Sequence, residues 1–260
     1  MTRYSEIAQA VREKRPVKIP DGWRQGRTAY GGLTAALCLE AAKAQYPDLA
    51  PLRSMQINFT GPVKGDPLFE ARLLRQGRNV TSVAVSALVD GNNVGEAQFL
   101  FGMDRDSVLN ATLPTPDVGI PEACEPFAPP AAEGFLPAFF KRFETKLAGG
   151  ARPMTGAKEG YVLAWSRHVE DQSREGEAEF VCLGDVLPPA AFPMMRVPVM
   201  ISSMNWTLNL INPPETEEGW YLVETRLSAA RAGYSSQIMR YWNRAGLLIA
   251  EGTQSVAMFG

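Results

Sequence analysis

Two stretches of this chain alternate polar and apolar residues with a period of two. Ser54-Met55-Gln56-Ile57-Asn58-Phe59 places Met55, Ile57 and Phe59 on one face. Ser203-Met204-Asn205-Trp206-Thr207-Leu208-Asn209-Leu210 does the same with Met204, Trp206, Leu208 and Leu210. That period marks a strand with one buried face, and it assigns Ser203 to the polar face with Asn205 and Thr207. A proline ends each run, Pro62 in the first and Pro213 in the second. The following strands also correspond, Leu68 to Leu74 with Tyr221 to Leu227, and Val80 to Val89 with Ser235 to Trp242. Each of the latter meets a glycine turn of hairpin chemistry, Asp90-Gly91-Asn92 or Arg244-Ala245-Gly246. Each copy closes on a strand ending Phe-Gly, at Phe101-Gly102 and Phe259-Gly260. The offset of roughly 150 residues is the size of a domain, far longer than a solenoid repeat.

Ahead of the first strands, Gly31 to Ala44 is rich in alanine and leucine, which favour helix. Residues 33–39 are almost free of polar groups and predict a helix buried on all sides. The double glycine, Gly31-Gly32, lets another chain segment or a ligand approach its start closely. In the second copy Phe180 to Leu187 stands in the corresponding place, stopped by Pro188-Pro189, so Asp185 is expected inside an apolar helix. One buried helix followed by an antiparallel sheet, written twice, predicts an α+β fold in which each helix is wrapped by a curved sheet. Residues 1–104 then form an N-terminal repeat and residues 141–260 a C-terminal one. Between them, residues 105–140 form a linker with Pro114, Pro116, Pro121, Pro126, Pro129, Pro130 and Pro137. Proline lacks an amide donor and fixes φ, so this segment is expected to stay out of the sheet interior and lie across the surface.

Charge narrows the partners. The 26 basic and 28 acidic residues nearly cancel, leaving no broad positive field for nucleic acid or an anionic membrane. Residues 1–14 lack the apolar core of a signal peptide. The longest uncharged stretch, Val197 to Pro214, carries Ser202, Ser203, Asn205, Thr207, Asn209 and Asn212, whose polar groups would be costly in lipid, and reads as a strand. Cys38, Cys124 and Cys182 are few, odd in number and far apart, which suits a reducing compartment, so a cytoplasmic location is expected. His168 is the only histidine, which argues against a histidine-centred triad or a histidine-rich metal site. There is no Gly-x-Ser-x-Gly elbow, Walker loop or Gly-x-Gly-x-x-Gly fingerprint.

Taken in order, several short motifs resemble the TesB-like (type II) acyl-CoA thioesterase family, built as a double hot-dog. In the first copy they are Tyr30-Gly31-Gly32, Asn58-Phe59 followed by Pro62, and Gly77-Arg78 before the long strand. In the second they are Gly184-Asp185-Val186-Leu187-Pro188-Pro189, the Ser203 strand, and Gln254 in the last strand. The resemblance runs from about Trp23 to the C-terminus and is weakest in the linker. It implies a catalytic network of Asp, Thr or Ser, and Gln in the second repeat, matched here by Asp185, Ser203 and Gln254. Many members carry Thr where Ser203 stands, and some relatives have His or Phe in place of Tyr30. The resemblance further implies an acyl-CoA substrate and, with sheet edges left to cover, a homodimer or higher assembly. No set of metal ligands with sensible spacing occurs in the sequence, so activity is expected to need no metal or cofactor.

The chemistry can also be weighed residue by residue. Thioester hydrolysis needs an activated water and donors for the developing oxyanion. Partial desolvation among Leu183, Gly184, Val186 and Leu187 raises the pKa of Asp185 and suits it to act as a base. Ser203 and Gln254 can orient the water. The Gly31 and Gly32 amides are candidate oxyanion or substrate donors, and Arg78 is a candidate phosphate contact. Plainer readings stand beside these: Asp185 as a cap or structural ion-pair partner, Ser203 and Gln254 as ordinary strand residues, the glycines as packing, and Arg78 as a solvated loop charge. Two other functions fit the fold, an acyl-CoA hydratase or dehydratase, which typically relies on an Asp/His pair, and a non-catalytic acyl-CoA binder.

Overall fold

The computed structural model describes residues 2–129, 134 and 136–259. Pro130 of the proline-rich segment and Gly260 of the closing Phe-Gly pair lie outside the described residues. The first half comprises helix α1 (Tyr4–Arg12), a short hairpin of β1 (Arg24–Gln25) and β2 (Thr28–Ala29), helix α2 (Gly31–Gln45), and strands β3 (Leu52–Asn58), β4 (Leu68–Gln76), β5 (Val80–Val89) and β6 (Asn92–Gly102). The second comprises β7 (Glu125–Pro126), β8 (Phe143–Gly150), β9 (Tyr161–His168), helix α3 (Glu177–Gly184), β10 (Met200–Leu210), β11 (Tyr221–Arg231), β12 (Tyr234–Asn243) and β13 (Leu248–Phe259). The long strands form one antiparallel sheet of eleven, in the order β4-β5-β6-β3-β10-β13-β12-β11-β9-β8-β7.

The order around the centre is a palindrome, β4-β5-β6-β3 against β10-β13-β12-β11. The two alternating segments of the sequence, β3 and β10, pair with each other at the seam, where Ile57 lies opposite Trp206. Inside the curve lie α2 and α3. Every residue of α2 from Gly32 to Ala42 is buried, in keeping with its lack of a polar face. This is the expected double hot-dog, two helices wrapped by one continuous curved sheet.

Two features depart from the sequence reading. Helix α1 was not expected, although Tyr4, Ile7, Ala8 and Val11 recur at helical spacing and are all buried. It is fastened to α2 by Arg12, which donates Nε to Glu40 Oε2 at 2.9 Å. The proline-rich linker is also more than a surface strap. Its first part covers a smaller cluster on the outer face of the sheet, built from Leu163, Trp165, Trp220, Leu222, Trp242 and Leu248, and accepts the Trp165 indole N–H at the Gly119 carbonyl (2.8 Å). Its second part adds β7 to the sheet edge beside β8, where a proline costs no interior hydrogen bond. It then buries Phe127, Phe139 and Phe140 in the main core. The aromatic side chains outweigh the prolines: each removes a large apolar area from water.

Candidate active site

Helix α3 ends at Gly184, three residues short of the expected Leu187. Asp185 is not inside it but at its C-cap, and the end of this helix meets the start of α2. The last carbonyls of a helix lack intrahelical partners, and here two tyrosine hydroxyls supply them. Tyr30 donates to the Cys182 carbonyl at 2.9 Å and Tyr241 to the Gly184 carbonyl at 2.8 Å. Tyr30 is itself stacked on Phe139, with ring centroids 3.9 Å apart. The turn carrying Asp185 is thus clamped from both repeats and from the linker.

The Gly31-Gly32 pair permits this contact. A Cβ on Gly31 would sit 2.6 Å from Asp185 Oδ2, and one on Gly32 would sit 2.5 Å from the Cys182 carbonyl oxygen. What approaches closely is therefore the end of α3. The Gly32 backbone hydrogen bonds to the Asp185 carboxyl, so that amide is engaged by the carboxylate rather than left open for a substrate. Neither glycine lines the adjacent cavity.

Gln254 on β13 donates Nε2 to Asp185 Oδ1 at 2.7 Å and to Ser203 Oγ at 3.3 Å. The fold thus brings Asp185, Ser203 and Gln254 together from three separate elements. Ser203 reaches them through an irregularity that the alternation did not foretell. Ser203 is paired with Val256 and Asn205 with Ser255, so Met204 is an extra residue on β10. Such a bulge shifts the alternation by one. Ser203 consequently turns inward on the side of Trp206, away from Asn205 and Thr207, and Met204 is 43% exposed instead of buried. Arg78 is exposed on the turn between β4 and β5 and does not line the cavity.

Burial, the dominant influence on Asp185, raises its carboxyl from the ordinary range to about 7, against the hydrogen bonds from Gln254 and Gly32. The carboxyl, Ser203 and Gln254 open on a cavity of about 650 Å³. Its wall is largely apolar, with Phe127, Leu136, Phe140, Leu187, Phe192 and Ile201. Linker and second repeat build most of it, and Gln25 of the β1–β2 hairpin adds a contact from the first. One further polar residue, Gln237 on β12, was missed by the sequence reading. It is 1% exposed and donates Nε2 to Gln254 Oε1 at 2.8 Å. The signal was present, since Gln237 shares the inward parity of Met239 and Tyr241, both buried.

His168 lies elsewhere. It is buried against Tyr4 and Phe143, its Nε2 donates to the Glu179 carbonyl at 2.8 Å, and burial lowers its pKa to about 4. It lines a different, smaller cavity.

A duplicated helix-in-sheet unit with one buried Asp-Ser-Gln cluster defines a double hot-dog protein. More particularly, the chain belongs to the acyl-CoA thioesterase family. The N-terminal domain of that family matches residues 19–102 and the C-terminal domain residues 121–258. It is accordingly a thioester hydrolase. The fold is shared with a hot-dog protein of unknown function from Alicyclobacillus acidocaldarius, at 24% identity over 94% of this chain and 92% of that one, TM-score 0.85. It is also shared with the tesB protein of Mycobacterium avium subs paratuberculosis, at 16% identity over 97% and 98% of the two chains, TM-score 0.74. Among curated proteins, no relative matches the chain.

Proposed function

We propose that the chain hydrolyses an acyl-CoA thioester by general-base attack of water, with Asp185 as the base and with Ser203 and Gln254 orienting the water. The observation that carries this reading is a carboxyl raised to about 7 at the wall of a large apolar cavity. The acyl chain lies against the apolar wall. Asp185, ionised, takes a proton from water as its oxygen attacks the thioester carbonyl carbon. The tetrahedral intermediate then expels the CoA sulfur, which receives that proton. Gln254 donates to Ser203, so the Ser203 O–H is free to point toward the water or the carbonyl oxygen.

The test is release of free thiol from a panel of acyl-CoA esters across pH. Turnover should rise with pH through about 7 as Asp185 ionises. Binding without thiol release would overturn the reading in favour of a non-catalytic binder, and water addition to enoyl-CoA in favour of a hydratase. His168 lines a different cavity, which disfavours an Asp/His hydratase pair. The same reading includes a homodimer or higher assembly, because β4 leaves an open sheet edge. A monomer by light scattering at micromolar concentration would remove that part.

A further inference from the structure

Behind Gln254 stands a second buried amide whose orientation is anchored to the backbone. Gln237 lies directly opposite Gln254 on the neighbouring strand. Its Oε1 accepts the backbone N–H of Ala190 at 2.7 Å, just past Pro188-Pro189. A backbone N–H can only donate, so it selects which end of the Gln237 amide faces it. The choice propagates. Gln237 turns its NH2 toward Gln254, Gln254 meets it with its carbonyl oxygen, and the NH2 of Gln254 is then the group that reaches Asp185 and Ser203. A glutamine amide without such an anchor has two nearly isosteric orientations. Flipped, Gln254 would aim a carbonyl oxygen at the carboxylate.

The first repeat supplies an internal control. Ala97 pairs with Ile57 on one side and Val85 on the other, as Gln254 pairs with Trp206 and Gln237. Ile57 and Trp206 face each other across the seam. The places of Gln237 and Gln254 are thus taken by Val85 and Ala97, both buried. The fold accepts an apolar pair there, so two interior amides are not a requirement of the sheet.

We propose that Gln237 is a positioning residue for the hydrolysis, fixing the polarity of Gln254 so that its amide donates to Asp185 and Ser203. This rests on the thioesterase reading above. Held that way, Gln254 favours the ionised carboxyl over the protonated one. The other titratable groups that face Asp185 are Tyr30 ahead of α2, Cys182 on α3 and Tyr241 on β12, all kept neutral by burial. Arg152 lines the same cavity, with its guanidinium bound to the Phe127 and Pro126 carbonyls and to Glu125. Gln237→Met therefore alters the amide next to the base without altering any charge.

The experiment compares kcat, KM and the pH profile of thiol release from straight-chain acyl-CoA esters for wild type, Gln237→Met, Gln254→Met and the double variant. Gln237→Met should lower kcat about tenfold, the worth of one directed hydrogen bond. KM should hardly change, and the acid limb should move to higher pH. In the Gln254→Met background the same substitution should add nothing further. A folded Gln237→Met protein with wild-type kcat and acid limb would overturn the proposal, as would effects that add fully onto Gln254→Met. Should Gln237→Met not fold, Gln237→Glu keeps an acceptor for Ala190 but, once ionised, offers Gln254 only acceptors and turns its amide around. Activity should then decline as pH rises, and wild-type kcat at high pH would overturn the proposal. Asp185→Asn in the same assay keeps the two readings apart. If it turns over normally, the general-base reading fails; if it is inactive while Gln237→Met is silent, only the role of Gln237 fails.

Discussion

The two repeats place the same dipeptide at the same point of the same strand and use it in opposite ways. Ser54-Met55 in β3 and Ser203-Met204 in β10 stand at the same offset in the two copies, the first paired across the seam with Asn209 and Leu208, the second just ahead of the residues of β10 that pair there. In the first repeat the register shifts between Leu52 and Ser54. Met55 is then buried, and Ser54 stays on the outer face, where it donates Oγ to Asn209 Oδ1 at 2.9 Å. In the second the shift falls after the serine, between Ser203 and Asn205. There the methionine is pushed outward and the serine faces the cavity. The position of one extra residue decides whether a hydroxyl meets solvent or the cavity. The interior pairs differ in the same direction, Val85 and Ala97 against Gln237 and Gln254. The two copies share the scaffold, and the polar cluster of Asp185, Ser203, Gln237 and Gln254 belongs to the second.

The sharpest way to break this contrast is at Asp185, the proposed base. Asp185→Asn keeps the shape of the site but cannot accept a proton, and kcat should fall by about 10²–10⁴-fold, with loss of the acid limb. The variant should be more stable to heat than wild type at pH 8, because a desolvated charge is replaced by a neutral amide. Near-normal turnover in the folded variant, or a variant that simply unfolds, would return Asp185 to a structural role.

A second variant gives the second repeat the interior of the first. Gln237→Val with Gln254→Ala should leave a folded protein whose kcat is lower by roughly 10- to 100-fold, the worth of a hydrogen bond to a charged group. Circular dichroism with thiol release checks both halves. Unchanged turnover would mean that the polar pair is incidental.

Smaller effects should separate the two serines. Ser203→Ala should lower kcat about tenfold, in the range of one orienting hydrogen bond, and Ser203→Thr should be tolerated. Ser54→Ala, on the outer face, should leave kcat unchanged. A covalent acyl adduct on Ser203 would replace the water mechanism with a nucleophilic one.

The smallest effect concerns stability. Burial raises Glu179 to about 7, as it does Asp185. Between the ordinary carboxyl range and about 7 the folded protein binds more protons than the unfolded chain, so stability is lost as pH rises through that window. Glu179→Gln should weaken this dependence and raise Tm at pH 8 by roughly 2–4 °C, with kcat unchanged. A Tm profile identical to wild type would show that Glu179 is not desolvated.

The duplicated strand order, the all-round burial of α2 and the residue types of the candidate site are legible in the chain alone. These follow from local chemistry: period-two alternation, proline and glycine punctuation, and an unbroken apolar run. The helical spacing of Tyr4, Ile7, Ala8 and Val11 and the inward parity of Gln237 were equally local and legible. Which way Ser203 points depends on the assembled sheet, because a bulge is defined by the partner strand, and Met204 carries no mark of being the extra residue. The same holds for Gly31-Gly32 receiving the end of α3, for two tyrosines from distant segments capping that helix, and for the proline-rich linker lending phenylalanines to the cavity. Each of those joins groups far apart in the chain, and their free energy lies in desolvation and hydrogen-bond pairing that exist only once the segments meet.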